Sequence, residues 1–480
     1  MFLYLAERFL DGAQLYVDIL EINPPLIYYL FMVPVWLSRK INLPVAWVFY
    51  LFVISLAALS SWLCWRLWQQ VLPSATDITR RTLILVLIFC LMVYFLGNFG
   101  HREHLIYLLI MPYVFAAAVR SENQPISRIM AISIGIMAGL AIALKPYFLF
   151  LWLGLEMYLA FVRGSWSLPI REENIAIFLV LSLLLAIYLS FWPNYFKFLV
   201  LMLPVYITYA RSHFQEIFLR KEVWLWFFTG LSLWWIKPPV PDRKVINLLF
   251  MAATLFLGIA VSQKKADFND HWYPAFLTLV LLISQWFLRW LEVSPGLAKK
   301  WRLSLNRGAR LLIAGLIITC AVKSVRHSIY SRLEELDSLI KIVRQYAQGK
   351  TIYVMSLAVK PTFPLVNDSG VSFLVRYPCL WPLPAFYPNY GVDSGKGSFH
   401  ALSRMTDLER SFMEGVVADL QAHPPILIII DNRRIAQCKI NFSLLEYFSQ
   451  HPRFAELMTN YNLLSEVAPY TLFIKNKRIK

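Results

Sequence analysis

Long apolar runs separated by short polar stretches fill the first two thirds of the chain. A helix that crosses a bilayer needs about 20 apolar residues, somewhat fewer where neighbours support it. Runs of this kind are Pro44–Trp68, Thr82–Gly97, Leu105–Val119, Ile129–Leu144, Tyr147–Val162, Asn174–Trp192, Ile217–Ile236, Val245–Ser262, Trp272–Trp290 and Leu311–Val322. They predict about ten spans, several of them short. Pro24–Trp36 and Tyr195–Tyr209 are apolar with a broken pattern, which suits either a span or an interfacial helix. From about Arg326 the pattern changes. Short β-like runs appear at Thr351–Ser356, Ile426–Ile430 and Tyr470–Ile474, and a helical stretch, Met405–Ala422, precedes the second. The expected class is a polytopic α-helical membrane protein with a C-terminal α/β soluble domain. Residues 1–324 form the membrane part and residues 325–480 the soluble part.

Composition agrees with this pattern. The chain is 58% hydrophobic and only 16% charged, against roughly 25% for an ordinary soluble domain. A net charge of +17 would suggest nucleic acid in a soluble protein. Here the basic residues collect in short loops between apolar runs, so nucleic acid is excluded as the expected partner and membrane lipids take its place. Arg66, Arg80, Arg81, Arg120, Arg128, Arg163, Arg171, Lys237, Arg243, Lys244 and the run from Lys299 to Arg310 fall in alternate loops. Those loops read as cytoplasmic. The loops of mixed charge read as the outer face, and the C-terminal region falls outside with them. The expected location is a membrane crossed many times, with an extracytoplasmic C-terminal domain. Cys379 and Cys438 both fall in that domain, where an oxidising environment allows a disulfide. The first forty residues also fall outside, with no span before them. This predicts a true start upstream of Met1, with a first span there.

Four polar clusters lie on the predicted outer side. Asp18 and Glu21 stand three apart, just before Pro24 and Pro25, which bar helix through Asn23. Gly97–His104 places His101, Arg102, Glu103 and His104 in a row at a membrane boundary, where ionisable groups are costly. Lys145 precedes Pro146 between two apolar runs, and Lys264, Lys265 and His271 lie in one late loop. Each has a plainer alternative: a solvated loop, a hydrated turn, or a snorkelling lysine. Together they supply carboxylates, imidazoles and cations on one face. That set can activate a hydroxyl and stabilise a phosphate leaving group. Two histidines are too few to define a metal site, so no metal ligand is assigned. A divalent cation stays open as a cofactor.

The order of these features resembles the GT-C membrane glycosyltransferases. It comprises an acidic outer loop, the Asn-Pro-Pro-Leu-Ile-Tyr-Tyr-Leu stretch (Asn23–Leu30), a Lys-Pro at the top of a middle span, a late loop with Lys and Tyr-Pro, and a terminal soluble domain. The nearest groups are the protein O-mannosyltransferase and lipid A aminoarabinose transferase group and the bacterial RgtA/B/C/D-like branch. The resemblance covers most of Met1–Val322, and Gly100–His104 is similar to a Gly-Gln-Arg-Glu-His element of bacterial members. It implies transfer of a sugar from a polyprenyl-phosphate donor to a hydroxyl of a lipid or glycan acceptor on the outer side, in cell-envelope synthesis. Asp18, Glu21, Glu103 and His104 become candidate catalytic groups. Arg102, His101, Lys145, Lys264, Lys265 and His271 become candidate substrate or phosphate partners. In these relatives the acid that acts as base lies well before the Pro-Pro, at a position that falls at or before Met1. The chain as it begins here is therefore expected to lack that base unless Asp18 or Glu21 serves. Two other classes fit the spans and basic loops: a transporter or flippase of lipid-linked glycans, and a non-catalytic envelope assembly protein. A carrier predicts ionisable groups deep in the spans and repeated halves, neither of which is evident.

Overall fold

Apart from its polar ends, Arg102–Ser121 is apolar on every side, and such a helix is stable only when it is surrounded. In the computed structural model it forms a helix (α5) in which every residue from Glu103 to Val119 is buried. The structure describes residues 1–164, 170–293, 336–387, 399–433 and 442–476, with scattered positions between 308 and 322. The chain divides into two compact units. One holds Pro34–Ser190 and Ser212–Ser328; the other holds Met1–Val33, Phe191–Arg211 and Ile329–Lys480.

In the helical unit, α5 is wrapped by α3 (Val45–Val71), α6 (Arg128–Leu144), α7 (Leu149–Arg163), α12 (Arg243–Ser262) and α13 (Asn269–Val293). α4 (Asp77–Ile88) lies against α13 and runs into a π-helical turn, Phe89–Val93. α8 (Glu172–Phe191) approaches α6 closely, because Gly135 and Gly139 present no side chain there. A Cβ at Gly135 would collide with the backbone carbonyl of Glu173. Small residues of this kind let apolar helices pack tightly where no hydrophobic force separates lipid from protein.

Among the described residues, seven helical stretches are long and apolar enough to cross a membrane, and Arg128–Leu144 is a shorter apolar helix. The chain is a multi-pass membrane protein. The expected Ile217–Ile236 span is instead two pieces, α10 (Phe214–Phe218) and α11 (Lys221–Trp235). Arg220 and Lys221 interrupt the run, and Arg220 turns back to Glu222 at 3.0 Å. Half of Leu311–Val322 lies outside the described residues. The two ambiguous stretches form α2 (Leu26–Ile41) and α9 (Pro193–Thr208).

The other unit is built on a four-stranded sheet of order β1-β2-β4-β3. The strands are β1 (Ile352–Met355), β2 (Leu427–Asp431), β3 (Tyr461–Val467) and β4 (Tyr470–Lys475). β1 and β2 are parallel, with Ile352 opposite Leu427. Every residue of both is buried, as an apolar run without alternation requires. β4 pairs antiparallel with β2 and β3. Helical residues 336–347 (α14) bury Leu336, Leu339, Val343 and Ala347, one face at helical spacing. α15 (Thr362–Ser369) follows β1. α16 (Asp407–Ala422) starts at Thr406, whose side chain accepts from the Glu409 amide. The first helix, α1 (Phe2–Leu10), is stitched into this unit. The Tyr4 hydroxyl accepts from the Phe373 amide at 2.7 Å, and Arg8 donates to the Val375 carbonyl at 2.6 Å. The unit with the C-terminal sheet thus also contains segments that the sequence pattern groups with the spans. Cys379 is buried, and Cys438 lies outside the described residues.

Candidate active site

Tyr94–Gly100 links the π-helical turn to α5. Gly100 has φ +73°, a left-handed conformation, and a Cβ there would run into the Phe49 ring. This tight turn sets His104 beneath it. His104 accepts from the Gly100 amide at Nδ1 (3.0 Å), so its Nε2 carries the proton and donates to the Leu91 carbonyl (2.8 Å). The ring stacks on Phe95 with centroids 4.3 Å apart. Both nitrogens are committed to backbone, and the residue is fully buried. His104 therefore holds the turn to the π-helical segment.

Glu103, in the first turn of α5, is the centre of the cluster and is 2% exposed. Its Oε1 accepts from Arg102 at 2.6 Å and from Lys145 Nζ at 3.2 Å, and His271 Nε2 lies 3.7 Å away. Its Oε2 lies 2.7 Å from His101 Nδ1, which is also 3.7 Å from Asp270 Oδ2. Three chain segments converge here for local reasons. Lys145 caps α6 in an extended conformation (φ −152°, ψ 98°), which the following Pro146 favours. The helix ends there, and its lysine turns to Glu103. Asp270 and His271 open α13. Lys264 takes a left-handed φ of +50° and gives its carbonyl to the Ser212 amide at 2.7 Å. The two adjacent lysines therefore part: Lys264 is exposed and Lys265 is 5% exposed.

The charges respond to this enclosure. Burial lowers the Lys145 pKa to about 8, against the upward pull of Glu103. Burial, with Lys145 and Arg102 adding repulsion, lowers Lys265 to about 7. For His101, burial acts downward, but the side chain is still 44% exposed and the Glu103 and Asp270 carboxylates prevail, so its pKa is raised. Three cationic side chains and two histidines thus meet two carboxylates. His271 Nδ1 is buried and finds no hydrogen-bond partner among the described residues.

His101, Glu103 and Asp270 each offer one ligand atom, all within 4.8 Å of one another. The donor types suit a divalent cation. Arg102 and Lys145, however, already hold Glu103, and Lys265 adds a third positive charge that acts on the same groups. The local field favours an anion over a cation.

Of the residues expected from sequence, His101, Arg102, Glu103, Lys145, Lys265 and His271 come together; His104 lies beneath them. Lys264 points to solvent. Asp18 and Glu21 belong to the other unit. Asp18 accepts from the Gln14 amide at 2.8 Å; Glu21 accepts from its neighbour's amide, Ile22, at 3.0 Å and from the Asn23 side chain at 2.8 Å. Sequence reasoning did not nominate Asp270. Its place at the start of an apolar helix, one residue before His271, was the available signal.

No protein-family model matches the chain, and no curated protein does. Solved structures do. ArnT from Cupriavidus metallidurans bound to undecaprenyl phosphate is 12% identical with a TM-score of 0.57, covering 99% of this chain and 93% of that one. The apo state of the same protein gives 12% and 0.56, over 98% and 92%. The chain has the fold of ArnT, the GT-C membrane fold that the sequence resemblance implies.

Proposed function

We propose that this protein is a membrane glycosyltransferase that moves a sugar from a polyprenyl-phosphate donor to a hydroxyl acceptor at the outer face. The observation that carries the reading is the Arg102–Lys145–Lys265 cradle around Glu103, set at the ends of membrane-length helices. The similar fold of ArnT, a protein described with undecaprenyl phosphate bound, supports a lipid phosphate as the ligand.

In this reading Arg102, Lys145, Lys265 and His271 hold the donor's phosphate. The acceptor oxygen attacks the anomeric carbon, the bond from that carbon to the phosphate oxygen breaks, and the sugar inverts. The leaving polyprenyl phosphate gains a negative charge, which fixed cations in a water-poor site stabilise strongly. The acceptor proton goes to a carboxylate. Glu103 is a poor base because two cations hold it, so it acts as a positioning residue. Asp270, whose one ion pair among the described residues is the longer contact to His101, is the proton acceptor within the cluster. The acceptor is a lipid or glycan of the envelope, and the C-terminal unit is periplasmic.

The test is transfer from an undecaprenyl-phosphate sugar by the purified full-length protein. Turnover falls by about 10²-fold or more in Lys145→Ala, the usual cost of losing one charge-stabilising donor. Asp270→Asn abolishes turnover, whereas Asp18→Asn keeps it. The opposite result for the two aspartates assigns the base to Asp18. Normal turnover in Lys145→Ala removes the cradle from the reaction.

A further inference from the structure

The far end of α5 carries a second polar site that the proposed transfer does not use. α5 has 20 residues, a rise of about 30 Å, close to the hydrocarbon thickness of a bilayer. Arg120 and Ser121 end it, Arg163 ends α7, and Lys244 lies in the first turn of α12. These residues, with Gln124 and its neighbours, line a pocket of ≈ 590 Å³. Its three charged lining residues are all basic.

The three cations are held in unequal ways. Arg120 is paired on both sides of its fork with Glu173, at 3.0 and 3.1 Å. Arg163 donates to the Arg120 carbonyl at 2.7 Å, which fixes its guanidinium at the pocket. Its Nε is buried with no hydrogen-bond partner among the described residues. Among the described residues Lys244 reaches the Ser121 carbonyl at 3.4 Å and Glu122 at 3.5 Å, and its side chain is 48% exposed. Arg163 is thus presented with no carboxylate in hydrogen-bonding contact among the described residues, and Lys244 with one long contact to a half-buried one. Two large apolar side chains in the adjoining helix turns are exposed: Phe161, in the last turn of α7, at 75%, and Ile129, in the first turn of α6, at 82%.

We infer that this pocket binds the headgroup phosphate of an anionic phospholipid, with Arg163 and Lys244 as its main contacts. Loop charge assigns this end to the cytoplasmic leaflet, where anionic headgroups meet basic pockets between helices. Arg supplies a planar fork that matches two phosphate oxygens, and Lys supplies a mobile point charge.

The experiment titrates the delipidated full-length protein in detergent with phosphatidylglycerol, phosphatidylcholine or inorganic phosphate. Bound lipid is read by native mass spectrometry and the unfolding midpoint by heating. Phosphatidylglycerol is expected to bind and to raise the midpoint; phosphatidylcholine and inorganic phosphate are not. Lys244→Gln and Arg163→Lys are each expected to weaken phosphatidylglycerol binding at least tenfold. Lys244 is half exposed, so its replacement leaves folding intact, and an unchanged midpoint in phosphatidylcholine verifies this. Equal binding of phosphatidylcholine would overturn the inference. So would full binding by Lys244→Gln, or a full shift from inorganic phosphate alone, which would make this a site for a free anion.

Discussion

At the residue scale, the same burial that gathers the cations also weakens their hold on protons. Lys265, lowered to about 7, and Lys145, lowered to about 8, are charged below those values and lose charge above them. An approaching phosphate draws the protons back, at a cost that grows with pH. Affinity for a polyprenyl-phosphate sugar is therefore expected to fall between pH 6 and pH 9. Its phosphodiester keeps a single charge over that range, so the change reports on the protein. Binding measured at several pH values checks this, and the Lys265→Arg variant, charged throughout, is expected to remove the fall that begins near pH 7 and to leave the one that begins near pH 8, which Lys145 sets. A wild-type affinity independent of pH would show that neither lysine carries the contact. His104 has a different role from its neighbours. Replacing it by Phe keeps the stacking on Phe95 but leaves the Gly100 amide and Leu91 carbonyl without their partner. An unmet buried polar group costs about 1–3 kcal/mol. His104→Phe is expected to lower the unfolding midpoint, seen by thermal scanning, more than it lowers the phosphate affinity of folded protein.

At the element scale, the site depends on where helices stop. α6 ends at Lys145 because Pro146 follows, and α5 starts at Arg102 because Gly100 allows the sharp turn. Gly100→Ala adds a Cβ in a left-handed conformation and against the Phe49 ring. It is expected to destabilise the protein and to displace Glu103, so turnover falls with stability. If Gly100→Ala left both unchanged, the turn would not be what positions the cluster. The π-helical turn matters in the same way, since it brings the Leu91 carbonyl to His104. The start of α5 was visible in sequence as four polar residues ahead of an apolar run. The π-helical turn was not, because Phe89–Val93 has the same apolar character as the helix before it.

At the scale of the molecule, loop charge divides the polar segments between two faces. A cysteine introduced at exposed Lys264 is expected to react with a membrane-impermeant maleimide added to intact cells. One at Lys237 is expected to react only after the membrane is opened. The reverse pattern would invert the assignment and place the Glu103 cluster in the cytoplasm. The sheet shows how far local signals reach. Thr351–Ser356, Ile426–Ile430 and Tyr470–Ile474 were legible as strands because they are short apolar runs, and they form β1, β2 and β4. β3 was not. Tyr461–Val467 mixes Asn462, Ser465 and Glu466 with apolar residues, buries only Tyr461, and is held by its pairing with β4, a contact that composition does not encode.

The sequence by itself determined that the chain is a multi-pass membrane protein. Apolar length specifies the membrane-length helices, and the short apolar runs after Arg326 specify strands. It also marked Gly97–His104, since charged residues at a membrane boundary need a reason to be there. Only the tertiary structure decided which charges share a site. Lys145 and the Lys265–Asp270 loop are distant in sequence from Glu103, and their convergence on it depends on helix packing around α5. It also decided which of two adjacent lysines faces inward, because one left-handed residue at Lys264 turns the chain. The physical reason is range. Hydrophobic periodicity and proline act over a few residues, whereas a charged cluster is held by partners that only the folded chain brings within a few ångströms.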